Sequence, residues 1–394
     1  IWSNSFTINM DKVNTQIVDQ QGTVKHFDSS IYWMNSKLIS LHQPTGSLQS
    51  HLVFEKRFSH LNAVRFGGEY DYADARLTYN HYPVHYKDNY AALFAETDAY
   101  FTNDFVVKLG GRAEHSSLMN QSEIAPRASL AYRAGNDGQL SAAYGIFYQK
   151  PDNMYLMYNQ GMKFTKATHY IINYQKSTTQ QLFRVEAYYK KYDDLVKTIG
   201  LPHANFTYDN AGYGSAKGVD VFWKDQKSIK DFEYWISYSY IYTRRDFLNY
   251  TQSLQPDFVA PHTLSVVAKK FVTKIKTELN LVYNFATGRP YYDFTQSQPG
   301  SYDLADRGKT MDYNDVDFSV DYLPSIGKRN TKCFITIVAT VKNLFAFKQI
   351  YGYAYSYNGS NKLPVISPTR QQFFAGIFFN FGVDRSKQII NDNL

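Results

Sequence analysis

Apolar and polar residues alternate with a period of two along most of this chain. From residue 105, Phe105, Val107, Leu109 and Ala113 share one phase, while Lys108, Arg112 and Glu114 occupy the other. Near 183 the apolar phase is Phe183, Val185, Ala187 and Tyr189, opposite Arg184, Glu186 and Lys190. Near 316 it is Val316, Phe318, Val320 and Tyr322, opposite Asp315, Asp317, Ser319 and Asp321. Successive side chains of a strand point to opposite faces, whereas a helix would scatter these residues around its axis, so the pattern predicts strands. Segments 105–118, 181–192 and 231–245 reach the ~9–11 residues or more that a tilted membrane strand needs, against ~5–6 for an average soluble strand. Tyr234, Tyr238, Tyr240 and Tyr242 crowd the apolar phase of the last segment around Ile236, and a tyrosine girdle suits the half-wet boundary of a bilayer. The expected fold is all-β, an antiparallel up-and-down transmembrane β-barrel, in preference to a soluble propeller or sandwich.

Breaks between the strands alternate in length. Short ones fall at 58–62, 102–104, 134–138, 177–180, 225–230, 271–273 and 324–331, and longer ones at 80–89, 151–165, 197–211, 246–260, 288–311 and 344–369. Outer-membrane barrels combine tight periplasmic turns with long external loops, which orients the chain. Counting back from a last strand at 370–381 gives roughly fifteen clear strands and about two weaker ones before residue 41. Bacterial single-chain barrels have even strand numbers, so the first strands and whatever precedes them are expected to be missing from this chain. The organisation expected is weakly patterned barrel strands at 1–46, the C-terminal part of an outer-membrane barrel at 47–381 and a tail at 382–394.

Composition narrows the class without moving the fold. Thirty-five Tyr and 28 Phe lift the aromatic share to 17%, and a mean hydropathy of −0.45 fits strands that alternate lipid-facing and lumen-facing residues. The longest apolar runs fall far short of the ~20 residues of a membrane helix. The formal net charge is +7, but the basic residues are scattered without a long run, so no nucleic-acid partner is expected. The lone cysteine, Cys333, excludes an intrachain disulfide and a multi-cysteine metal site. The chain opens at Ile1 without a signal peptide, which is expected to have been removed or to belong to a preceding part.

Several motifs then point to one family. PRASLAYRAGNDGQLSAAYGIFY at 126–148 resembles a barrel hairpin of TonB-dependent receptors, and DNAGYGSAKGVDVFWKD at 209–225 is similar to that family's glycine-rich entry into a strand. ATGRPY at 286–291, VKNLF at 341–345 and RQQFFAGIFFNF at 370–381 follow in family order. The resemblance implies a twenty-two-strand barrel whose lumen is filled by an N-terminal plug. It also implies uptake of a scarce ligand with energy drawn from the inner membrane through TonB. No plug or TonB-contacting segment is recognisable in the 394 residues, and the chain runs thirteen residues past Phe381. The expected setting is the outer membrane of a Gram-negative bacterium. The partners expected are outer-membrane lipid, the protein's own plug, the TonB complex through the missing N-terminal part, and a surface lipoprotein.

Two sets of residues are candidates for function. On the polar phase, Glu96, Lys108, Arg112, Glu114, Arg184, Glu186, Asp315 and Asp317 are expected to face the lumen and meet the plug, with Asp98, Arg127 and Asp321 beside them. Plain solvation of the lumen is the other reading of these charges. In the loops, Met154, Tyr155, Met157, Tyr158 and Met162 crowd one external segment, and Tyr351, Tyr353, Tyr355 and Tyr357 another. Exposed apolar and aromatic residues at that density mark a ligand-contact surface, or they cover neighbouring loops. His81 and His85 flank Pro83, which rules against a helical metal pair; with Asp193 and Asp194 they make no complete site. No metal or cofactor is expected. No G-x-S-x-G elbow, Walker loop or H-E-x-x-H occurs, so no enzyme is expected. The function expected is uptake of a siderophore, haem, corrinoid or oligomer. The alternatives are a passive porin, or the barrel component of a secretion or surface complex.

Overall fold

The structure is a computed structural model describing residues 2–14, 40–59, 61–79, 82–156, 158–201, 205–298, 301–326, 333–355 and 362–381. Twenty strands follow one another: β1 (Trp2–Asn14), β2 (Ser40–Arg57), β3 (Ala63–Tyr79), β4 (Tyr82–Tyr100), β5 (Phe105–Ser116), β6 (Gln121–Ala134), β7 (Gly138–Gln149), β8 (Thr165–Ser177), β9 (Gln181–Leu201), β10 (Asn205–Asp225), β11 (Phe232–Asp246), β12 (His262–Val272), β13 (Thr277–Ala286), β14 (Pro290–Gln298), β15 (Ser301–Lys309), β16 (Tyr313–Tyr322), β17 (Cys333–Lys342), β18 (Ile350–Tyr355), β19 (Lys362–Ile366) and β20 (Gln372–Phe381). Sixteen form one antiparallel meander in the order β1 to β13, β16, β17, β20, while β14–β15 and β18–β19 are separate hairpins inside two connections. Among the described residues β1 and β20 do not pair, so the sheet is an open wall. After residue 40 the described meander comprises β2 to β13 with β16, β17 and β20; of the region before it, β1 is described. Met157, His81, Tyr357 and the tail 382–394 lie outside the described residues.

The period-two pattern separates two faces. On β4, Tyr86, Asp88 and Ala92 are buried and Phe94, Glu96 and Asp98 half-buried, while Ala91, Leu93 and Ala95 between them are exposed. Leu93 and Ile124 are 70% and 71% exposed, and Phe54, Phe66, Leu109, Tyr170 and Ile172 lie open on the same side. Each such side chain left in water forgoes about 1.5–3 kcal/mol, so an apolar face this extensive belongs in lipid. That removes the soluble propeller and sandwich.

Turn chemistry holds one rim. Gly135 takes φ +74° between β6 and β7, and Lys276 takes φ +53° before β13. At the end of β10 the buried Asp225 carboxylate accepts from Lys227 N (2.7 Å), Ser228 N (2.9 Å) and Ser228 Oγ (2.6 Å), closing the turn through its side chain. The opposite rim departs from expectation. Two of the expected long loops, 80–89 and 197–211, are largely strand: β4 begins at Tyr82, β9 runs to Leu201 and β10 starts at Asn205. The β5–β6 connection at this rim, 117–120, is a tight turn. Above the bilayer both faces of a strand are wet, so alternation disappears while backbone pairing continues, and such extensions read as loops.

Candidate functional site

On the polar face of β2 to β5, charges from neighbouring strands pair with one another. Arg65 reaches Glu55 (2.8 Å), Asp98 (2.8 Å) and Glu96 (3.3 Å), and Lys108 reaches Asp98 (3.2 Å). Arg112 contacts Glu69 (2.6 Å) and Glu114 (3.0 Å) and donates to the Tyr90 hydroxyl (3.2 Å), which in turn donates to Glu114 (2.7 Å). Beside this network lies a cavity of about 550 Å³ lined by Glu69, Phe94, Lys108, Arg127, Phe147 and His169 among others. Arg127 lays its guanidinium 4.6 Å above the Phe147 ring. Gly145 sits opposite Arg127 in register, and a Cβ there would meet the Phe147 ring at 3.0 Å. Among the described residues Arg127 has no ion pair, and neither do Arg184 and Glu186. Asp315 accepts from Tyr313 OH (3.2 Å) and Asp317 from Asn343 N (2.9 Å).

The β7–β8 connection folds over this face at the long-connection rim. A single helical turn, Asn153–Leu156, starts it. Leu156, Met162 and Phe164 are each 1% exposed and form an apolar cluster with Met119 and Val196, flanked by Tyr90, Tyr155, Tyr208 and Leu248. Polar ties pin it at both ends: Lys150 to Asp88 (2.5 Å), Asn153 to Tyr86 OH (2.5 Å), and Lys163 N to Asn210 Oδ1 (2.6 Å). Asp88 also accepts from Ser116 Oγ (2.9 Å) and Leu118 N (3.1 Å).

Two further groups crown the same rim. The Arg245 guanidinium lies 4.3 Å from the Tyr192 ring and 5.8 and 6.0 Å from those of Phe258 and Phe247, and its Nε is buried without a hydrogen-bond partner. Phe247 leads on to Tyr250, Tyr292 and Phe294 through ring contacts of 4.8–5.7 Å. Burial among these rings pushes the Tyr250 phenol up to about 12. The second group clasps β14–β15 to β18–β19. Lys362 Nζ stands 3.7 Å from the Tyr291 centroid and 4.6 Å from that of Tyr353, and pairs with Asp306 (2.9 Å). The Tyr355 hydroxyl donates to Asp306 (2.7 Å). The hydrogen bonds from Lys362 and Tyr355 hold the Asp306 carboxyl below its ordinary value, while burial and the bond to Asp306 raise the Tyr355 phenol to about 12.

An antiparallel wall with an apolar outer face, a charged inner face and folded connections at one rim is the geometry of an outer-membrane barrel. A family model described as TonB dependent receptor-like, beta-barrel, matches residues 3–344. The chain belongs to the TonB-dependent receptor family. Among solved structures it is similar to the ferric enterobactin receptor PfeA of Pseudomonas aeruginosa in complex with enterobactin, at 12% identity and a TM-score of 0.68, covering 95% of this chain and 59% of that one. It is likewise similar to the FrpB iron transporter of Neisseria meningitidis, at 13% identity and a TM-score of 0.65, covering 89% and 57%. The outer membrane transporter YddB of Escherichia coli matches at 12% identity and a TM-score of 0.64, covering 86% and 54%. The chain thus spans somewhat more than half the length of these proteins. No curated protein matches it in sequence. TonB-dependent receptors are transporters and receptors, not enzymes. The motif resemblance is borne out, with 126–148 forming the β6–β7 hairpin and 209–225 lying in β10.

The predicted loop residues divide. Met154 and Tyr158 are exposed (51% and 41%), whereas Met162 is buried, which corrects its place in the expected contact surface. Tyr155 packs edge-on against Tyr208 at 4.7 Å. Tyr351 is exposed and donates to Gln349 (2.8 Å), while Tyr353 and Tyr355 are engaged in the clasp. His85 pairs with Asp74 (2.7 Å). The Arg245 group was missed; its signal was YTRRDFLNY at 242–250, where paired arginines adjoin three aromatic residues.

Proposed function

We propose that this chain is the wall of a Gram-negative outer-membrane receptor that takes up a scarce nutrient with energy coupled through TonB. A plug supplied by an N-terminal part fills the lumen, and further strands bring the barrel to twenty-two. The short turns face the periplasm and the long-connection rim faces outward. The family match carries this reading, and similar structures supporting it include a ferric enterobactin receptor and an iron transporter. A siderophore, haem, corrinoid or oligomer fits such a receptor.

Within this reading the polar face meets the plug through Glu96, Lys108, Arg112, Glu114, Arg184, Glu186, Asp315 and Asp317. Wall partners already hold Glu96, Lys108, Arg112 and Glu114, so Arg127, Arg184, Glu186, Asp315 and Asp317, without an ion pair among the described residues, are the groups with charge left to offer. Capture falls to the outer rim, where Met154 and Tyr158 are exposed and Arg245 stands among rings without a carboxylate. A surface lipoprotein would bind at that rim. Planar-bilayer recording of the full-length protein tests the core of the proposal. A plugged receptor is electrically silent until its plug is dislodged by denaturant. Steady open-channel current from the untreated protein would instead establish a passive porin.

A further inference from the structure

The apolar outer face of β7 to β11 ends, towards the long-connection rim, in a row of tyrosines in register. Tyr144 lies opposite Tyr170, Tyr170 opposite Tyr189, Tyr189 opposite Lys217 and Lys217 opposite Tyr242. The Tyr144 and Tyr170 rings are 5.3 Å apart, those of Tyr170 and Tyr189 6.2 Å, and Lys217 Nζ lies 5.4 Å over Tyr242. Three more cations surround this row. Lys191 and Arg244 flank Ser215 one step nearer the rim, and Lys166 lies opposite Asp193 one step further. Lys191, Lys217 and Arg244 are exposed.

These cations fall in one band along the strands. Counted from the short-turn end of each strand, Lys217 is the ninth residue of β10, Lys191 the eleventh of β9, Lys166 the twelfth of β8 and Arg244 the thirteenth of β11. A tilted membrane strand crosses the hydrocarbon in ~9–11 residues, so all four ammonium and guanidinium groups emerge where headgroups begin. Neighbouring strands are ~4.8 Å apart, which puts Lys191 and Arg244 within reach of one phosphate. Asp193 opposes them, paired to Lys191 at 2.8 Å. Asp246 is engaged by Lys197, and Arg244 is steadied by the Ser253 carbonyl at 2.6 Å. Three net positive charges above an aromatic belt match a phosphorylated lipid headgroup better than a zwitterionic one.

We propose that Lys191, Lys217 and Arg244, with Lys166 at their edge, bind the phosphate of a phosphorylated outer-leaflet lipid. This rests on the placement of the wall in an outer membrane. The full-length receptor in detergent is titrated with diphosphoryl lipid A and with the same lipid freed of its phosphates, and bound lipid is read by native mass spectrometry. The phosphorylated lipid is expected to bind more tightly. The triple variant K191Q/K217Q/R244Q should bind it roughly a hundredfold more weakly, about fivefold per cation, with the dephosphorylated lipid unaffected. Asp193→Asn, which frees Lys191 without touching the cations, should tighten binding about threefold. Equal binding of the two lipids, or unchanged affinity in both variants, overturns the site. Full displacement by inorganic phosphate overturns the lipid assignment in favour of the free anion. Cell fractionation keeps the premise separate, since a receptor absent from the outer membrane fails the functional reading whatever the titration shows.

Discussion

On β3 to β5 the charged side chains of the polar face reach one another, whereas towards the long-connection end of β9 to β11 two cations reach rings. Arg112 is spent on Glu69 and Glu114, but Lys190 stands over Tyr188 at 4.8 Å and Arg245 over Tyr192, neither with an ion pair among the described residues. A charge paired across strands stitches the wall and has little left for a visitor. A cation held by an aromatic face keeps its own field, because the ring fixes its position without neutralising it. One sector is therefore built for cohesion and the other for contact.

Substitution can break the comparison, and the largest effects should fall where groups are buried. Phe164→Ala should cost about 3–4 kcal/mol at the loop anchor, by analogy with other buried aromatic truncations. It should also abolish hydrogen-exchange protection of residues 150–164; retained protection would mean the loop is held by its polar ties alone. Arg112→Ala, which strands Glu114 at 6% exposure, should lower resistance to urea unfolding by about 3 kcal/mol. Arg245→Gln should change stability by less than about 1 kcal/mol yet weaken binding of a ferric siderophore to the full-length receptor at least tenfold. If instead Arg245 behaved like Arg112, with a large stability loss and unchanged binding, the distinction between the sectors would collapse.

The smallest effect concerns pH. Asp306 is held below its ordinary 3.8, so its contribution to the clasp is full above that value and disappears as pH falls through the depressed one. Burial pulls Lys362 down, but its bonds to Tyr291 and Asp306 raise it above 10.5, so its contribution is full below that value and is lost at still higher pH. Exchange protection of β14–β15 and β18–β19, corrected for intrinsic rates, should be flat between 3.8 and 10.5. A step near neutrality would show that another group closes the clasp.

The wall was legible because a bilayer imposes a two-residue period, and Val316 against Asp317 announces its face without any neighbour being known. The rim was not legible for the same reason. Lys87, Asp88 and Asn89 look like loop because both faces of β4 are polar there, yet they pair in register with Asp74, Ala73 and Tyr72. Nor does a sequence say which apolar loop residue turns down. Met154 and Met162 are indistinguishable by type, but one is exposed and the other buried in a cluster drawn from three connections and four strands. Arg112 and Arg245 were equally alike, since what separates them is the carboxylate or ring brought beside each by the sheet.

The clasp around Lys362 has a thermodynamic consequence for the receptor's mouth. Two hairpins separated by forty residues are tied at one ammonium, so they move as a single body with fewer independent motions than two free loops. Much of the ordering entropy that a ligand would otherwise have to overcome is already lost in the unbound protein. Affinity at this mouth thus depends on rigidity built in before capture, and loosening Lys362 should weaken binding through entropy even for a ligand that never touches it.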